Sequence, residues 1–272
     1  MDPERIPTSL ELYQPPRNKG GGPAEPTIGS VLEQWVAFHA VRLVQRRTIV
    51  QLMRRYFAPF LHRTLASLTR EELVRWHAAI GAQYPITANK ALSQLKALYN
   101  KAAEWGLYEG KNPTRYVKLY PQIARSRFVQ PGEEMRRLRE AIEKAEEKYQ
   151  AFFYLILLTG ARRNEAARMR WQDINLETGL WMKWSTKTHR SHAIHVPELA
   201  LKRLRELPRL GEYVFSTRPG KPIGVSSIEI AWMRIRARAG LEDVTIHDLR
   251  RTCASWMAIH GTNIVVIQQM LN

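Results

Sequence analysis

Apolar positions in the first third of the chain recur at helical spacing. In "SVLEQWVAFHAVRL" Leu32, Trp35, Val36 and His39 fall on one face, with Ser30 placed to cap the first turn. "RRTIVQLMRRYFAPFL" predicts a second helix closed by Pro59. Thr69, followed three residues later by Glu72, reads as a capping box that opens "LTREELVRWHAAI". "ITANKALSQLKALYNKAAEWGL" predicts a fourth helix, apolar along Leu92, Leu95, Leu98 and Tyr99. Pro113, Pro121 and Pro131 then interrupt the periodicity.

A different pattern follows. Helices are predicted at about Glu133–Glu147 and over the apolar run "QAFFYLILLTGA". A Glu-Thr-Gly turn, a β-rich run Leu180–Trp184, a polar turn Thr186–Ser191 and a strand Ala193–Val196 closed by Pro197 predict a hairpin. Helices resume over Leu199–Leu207, Ser226–Ala239 and His247–His260. Ile264, Ile267 and Leu271 form the stripe of a last helix, started by Gly261 and Thr262. The fold class is therefore mainly α, with a small antiparallel β-sheet in the C-terminal domain. The expected organisation is a flexible arm over 1–26, a helical domain over 27–111, a linker over 112–130 and a second domain over 131–272. No internal repeat is visible.

Charge narrows the partner. The chain carries 42 Lys and Arg against 25 Asp and Glu, a net +17. Residues 1–124 hold 17 basic and 9 acidic side chains, and residues 125–272 hold 25 and 16, so the excess is no detachable tail. A polyanion gripped along an extended surface fits this balance. With 44% hydrophobic residues, no apolar run of membrane-spanning length, no apolar signal core at the start and Cys253 as the one cysteine, a cytoplasmic, nucleoid-associated protein without disulfides is expected.

The fourth helix turns a second face outward: Asn89, Lys90, Ser93, Lys96, Asn100 and Lys101, with no acid before Glu104. Lysines and amides without carboxylates suit phosphates and base edges, whereas an ordinary wet face mixes signs. Arg125 and Arg127 make the linker basic enough to follow a nucleic-acid backbone.

Three stretches carry chemistry: "LLTGARRNEAARMRW", "STKTHRSHAIHVP" and "TIHDLRRTCASW". They supply guanidiniums, an ammonium and an imidazole with few carboxylates. Two arginine forks can neutralise a phosphate whose charge grows as it becomes pentacoordinate. A lysine on a hairpin turn can protonate a departing oxygen, and a histidine can move protons near neutrality. Such a set needs no metal and no cofactor. His189, His192 and His195 invite a zinc reading, but strand residues three apart point to opposite faces. No paired carboxylates suit a two-metal site.

The run "TGARRNE", the hairpin lysine before "HVP", and "HDLRRT" opening a helix together resemble the catalytic domain of the tyrosine recombinases, the phage-integrase family. The earlier half, with "ANKALSQLKALYNKAAEWGL" before "NPT", resembles that family's four-helix core-binding domain. The resemblance implies a two-domain clamp on double-stranded DNA. It implies Arg162 and Arg250 as phosphate clamps, with Arg163 a neighbour rather than a member. Glu165 is the implied orienting acid, Lys187 the proton donor to the leaving oxygen, and His247 the partner of Arg250. It further implies transesterification through a 3′-phosphotyrosine and a homotetramer on synapsed sites, with helper DNA-bending proteins in some systems. The family's last histidine or tryptophan and its nucleophilic tyrosine follow that pair. No tyrosine occurs after Tyr213, so the chain is expected to stop before its nucleophile. The rival expectations are a DNA-binding remnant or regulator with the same fold, and a basic RNA-binding or structural protein.

Overall fold

The computed structural model describes residues 25–40, 43, 46–184, 191–218 and 220–271. Nearly all of the expected arm, most of the turn Thr186–Ser191, and Lys187 lie outside them. The chain divides into two compact units between Ile123 and Ala124.

Among the described residues, four α-helices build the first unit: α1 (Ile28–Phe38), α2 (Arg46–Phe57), α3 (Arg70–Gly81) and α4 (Pro85–Glu104). Thr27, not Ser30, caps α1; its side chain accepts from the Ser30 N–H at 3.1 Å. The helix thus starts three residues before the predicted cap could act, because Ile28 already has a buried place to fill. The Thr69–Glu72 capping box on α3 forms as the spacing predicts. Leu92, Leu95, Leu98 and Tyr99 of α4 join Trp35, Met53 and Phe57 in one core. Each such side chain contributes about 1.5–3 kcal/mol by leaving water.

The expected linker is divided between the units. Val117 enters the first core, and the Tyr120 ring stacks on His77 with centroids 4.9 Å apart. Gly81 makes that approach possible, since a Cβ there would lie 2.1 Å from the Tyr120 ring. From Ala124 onward the chain belongs to the second unit, and Val129 is fully buried there.

The second unit centres on α6 (Glu147–Thr159), apolar on nearly every side and therefore buried among α5 (Glu133–Glu143), α8 (Glu198–Arg205) and α10 (Ile246–Ile259). Short α7 (Arg163–Ala167) follows it. Strands β1 (Leu180–Trp184) and β2 (Ser191–His195) pair antiparallel, from Leu180 opposite His195 to Trp184 opposite Ser191. A second small ladder joins β3 (Ser216–Arg218) to β4 (Lys221–Pro222), ahead of α9 (Val225–Ala239). The class is mainly helical with small antiparallel sheets, as the periodicities predict. The last helix, α11, covers Ile264–Leu271. Asn263 starts it, its side-chain oxygen accepting from the Val265 N–H at 2.8 Å, while Gly261 at φ +78° ends α10. Of the predicted stripe Ile267 is buried, but Ile264 is 63% exposed.

Candidate active site

Arg162 sits immediately before α7, and Glu165 in the first turn of that helix reaches back to it. One carboxylate oxygen accepts from the Arg162 N–H at 3.1 Å, and the other from its Nη1 at 2.8 Å. The same carboxylate lies 2.7 Å from Nζ of Lys183 on β1. Alternation on the strand turns Lys183 inward with Trp181, and both are buried. Burial pushes the Lys183 ammonium below its ordinary value, and Glu165 only partly restores it. Burial would raise the Glu165 carboxyl, but Lys183 and Arg162 outweigh it and hold the group ionised.

Helix α10 contributes His247 and, three residues on, Arg250, which the helical repeat places on one face. Its first turn is fixed by Asp248, which is fully buried. One Asp248 oxygen accepts from the Thr245 N–H and hydroxyl, both at 2.8 Å. Arg251 Nη1 donates to the other at 2.6 Å, and Arg125 Nε reaches both at 3.1 and 3.0 Å. Burial raises this carboxyl, yet Arg125, Thr245 and Arg251 outweigh it and bring it down to about 2. Arg250 Nη1 donates to the Gly160 carbonyl at 2.5 Å and Nη2 to that of Leu271. Partial desolvation and the guanidiniums of Arg251 and Arg250 push the His247 imidazole down, favouring the neutral ring.

Arg162, Glu165, His247 and Arg250 line one open cleft of about 520 Å³. The Arg163–Glu229 ion pair borders it. Burial and the charge of Arg162 both depress Arg250, so two cations are held in mutual repulsion. An anion placed between them relieves that repulsion. Four of the five residues predicted for chemistry are thus brought together from two distant stretches, and the fifth, Lys187, lies outside the described residues.

The predicted DNA-facing residues divide. Lys90, Ser93 and Lys96 are exposed on α4, and neither lysine has an ion-pair partner among the described residues. Lys101 pairs with Glu104 at 2.6 Å. Asn89 is corrected: it is buried, not on the polar face. Its side-chain oxygen accepts from the Tyr120 N–H at 3.0 Å and lies 3.1 Å from His77 Nε2, and its amide donates to the Tyr120 carbonyl at 2.9 Å. Arg125 and Arg127 are also corrected, because their forks are committed to carboxylates within the second unit. Arg125 takes Asp248, and Arg127 takes Glu134 at 2.8 Å and Asp243 at 2.7 Å. Of the three histidines, His189 is outside the described residues, and His192 and His195 face different β1 partners, Lys183 and Leu180.

Two residues of the site escape the sequence reading. Asp248 completes a Thr-x-x-Asp cap, a signal present in "TIHD" but read there only for its histidine. Lys183 shares a strand face with Trp181, which strand alternation alone could have marked as inward.

Residues 129–272 match the sequence profile of the phage integrase family. The integrase of Salmonella phage P22 is 30% identical over 196 residues, covering 66% of this chain and 49% of that protein. A shufflon-specific DNA recombinase of Escherichia coli is 32% identical over 178 residues, 63% of this chain and 44% of that protein. The chain therefore spans about half the length of these two relatives. Tyrosine recombinase XerA of Pyrococcus furiosus is 26% identical over 257 residues, 91% of this chain and 87% of its own length. Among solved structures, a lambda integrase (75-356) dimer bound to a COC' core site superposes with a TM-score of 0.73 at 19% identity, covering 91% of this chain and 95% of that one. No helix among the described residues is long and apolar enough to cross a membrane. The chain belongs to the phage integrase family, the tyrosine recombinases.

Proposed function

We propose that this chain is the DNA-binding and phosphate-activating part of a site-specific recombinase. The observation that carries this reading is the convergence of Arg162, Glu165, His247 and Arg250 on one open, cation-lined cleft. Arg162 and Arg250 clamp the non-bridging oxygens of a DNA phosphate and stabilise the charge that develops in its pentacoordinate state. Glu165 orients Arg162. Neutral His247 is able to take a proton from the attacking hydroxyl, and Lys187 gives one to the departing 5′ oxygen. A tyrosine attack conserves the bond energy as a 3′-phosphotyrosine, and rejoining reverses the step. Double-stranded DNA is the substrate, with Lys90, Ser93 and Lys96 contacting it. A homotetramer on synapsed sites is the active assembly, with DNA-bending helpers where the target requires them, and the protein works at the nucleoid. The family relationship and the DNA-bound lambda integrase neighbour support this.

A second reading is favoured by one observation. These 272 residues contain no tyrosine after Tyr213, and the second reading is that they occupy DNA as a binding protein or regulator with the same fold. One experiment addresses both readings. The chain, alone and extended by a relative's tyrosine-bearing segment, is incubated with nicked duplex and run on a denaturing gel. Both forms are expected to bind duplex, and only the extended form to leave a covalent adduct. An adduct from the 272-residue form refutes the occupation reading. Failure of either form to prefer duplex DNA refutes both.

A further inference from the structure

Lys183 has no part in the mechanism above, and its surroundings are unusual. The side chain is 6% exposed, on the inward face of β1, with its ammonium 2.7 Å from the Glu165 carboxylate. That contact is an ion pair made at a poor hydrogen-bond angle, so its N–H donors have no aligned acceptor among the described residues. Directly across the ladder stands His192, whose Nε2 is buried and likewise without an aligned partner there. A buried ammonium is costly to keep unless a fixed anion offsets the lost hydration. Here that anion is the carboxylate that also holds both the backbone N–H and the guanidinium of Arg162.

We propose that Lys183 is a positioning residue for the phosphate cleft: from β1 it fixes the Glu165 carboxylate, and through that carboxylate the Arg162 fork. The inference rests on the proposed reading of the cleft as a phosphate site. Glu165 sits on a five-residue helix, α7, which is short enough to depend on tertiary contacts for its place. With Lys183 on one side and Arg162 on the other, the carboxylate is bound from two directions. Burial lowers the ammonium's affinity for its proton while the carboxylate raises it. The arrangement ties the hairpin that leads into residues 185–190 to the arginine before α7. It therefore couples β1, the strand that precedes the predicted proton donor in sequence, to the clamp that receives the phosphate.

The test uses orthovanadate, a tetrahedral analogue of phosphate, with its binding to the 272-residue chain followed by vanadium NMR. Lys183→Met is expected to weaken orthovanadate about tenfold, as loss of an orienting partner does, with Lys183→Arg restoring affinity to within about twofold. Glu165→Gln is expected to lose about tenfold, and Lys183→Met combined with Glu165→Gln the same tenfold rather than a hundredfold, because both act through one linkage. The double variant leaves no unpaired buried charge, so it reports even where Lys183→Met alone fails to fold. Native affinity in Lys183→Met, or a fully multiplicative loss in the double variant, overturns the proposal. Arg250→Ala separates this from the reading beneath it: if orthovanadate binds Arg250→Ala normally, the cleft is no phosphate site. If only Arg250→Ala loses binding, the cleft stands and the role of Lys183 falls.

Discussion

Arg125 reaches across 123 positions of sequence to the buried carboxylate of Asp248, the residue next to His247. The segment expected to run along DNA is thus the brace of the helix that carries half the cleft.

This brace makes stability depend on acid. The ordinary Asp carboxyl titrates near 3.8 and this one at about 2. Its contribution is complete above the unfolded value and is lost as the pH falls through about 2. Asp248→Asn is expected to flatten the acid limb of the stability profile in that window. Asp248→Ala, which removes the acceptor shared by Thr245, Arg125 and Arg251, is expected to cost about 1–3 kcal/mol in urea unfolding at neutral pH. An unchanged midpoint for Asp248→Ala would refute the brace.

On α4, burial separates residues that the sequence places on one face. Asn89→Ala strands the Tyr120 N–H and His77, and is expected to lower stability by about 1–3 kcal/mol without changing which DNA sequences are preferred. Lys90→Ala and Lys96→Ala are expected to leave the unfolding midpoint alone and each to reduce the slope of log affinity against log salt by about 0.9. Urea melts and fluorescence anisotropy over a salt series separate these outcomes. A salt slope that does not move would take the two lysines off the DNA.

His247 gives a pH signature of ligand binding. Its imidazole is depressed in the free protein by partial desolvation, Arg251 and Arg250. A depressed histidine favours the folded state when neutral, so this contribution is present above the unfolded value and declines as the pH falls below it. Phosphate charge in the cleft offsets the arginines and raises the imidazole, so DNA binding should take up protons just below neutrality. Calorimetry in buffers of differing ionisation enthalpy measures that uptake. The His247→Gln variant should abolish it, and equal uptake in both proteins would assign the protons elsewhere.

In an extended chain that forms the covalent adduct, Arg162→Ala and Arg250→Ala should each slow its appearance on the order of 10²-fold. The comparison is made by quenched time courses on nicked duplex. A full rate in either variant removes that arginine from the mechanism.

Local signals were the legible ones. The capping box at Thr69, the stripe of α4 and the hairpin at Leu180 each rest on contacts within a few residues, and each appears in the structure. Arg162, Glu165, His247 and Arg250 were legible because their motifs are short and their order distinctive. What escaped was long-range. Nothing near Asn89 announces Tyr120, 31 positions away, and a basic, proline-broken segment gives no sign that Arg125 and Arg127 will meet Asp248, Asp243 and Glu134. Ion pairing at such separations is a property of the packed chain, and periodicity is silent on it.

Helix α10 assigns alternate duties to successive residues. His247 and Arg250 face the cleft, while Asp248, Arg251 and Thr252 hold the helix, the last by accepting from the Val129 N–H at 2.9 Å and donating to the Asp248 carbonyl at 2.7 Å. Each added residue turns a helix by about 100°. One insertion between His247 and Arg250 would therefore rotate an anchor into the cleft and a clamp into the core, so length in this turn is far less free to vary than composition. An insertion or deletion within this turn would spoil both duties at once, whereas one in the loops on either side would leave them in register.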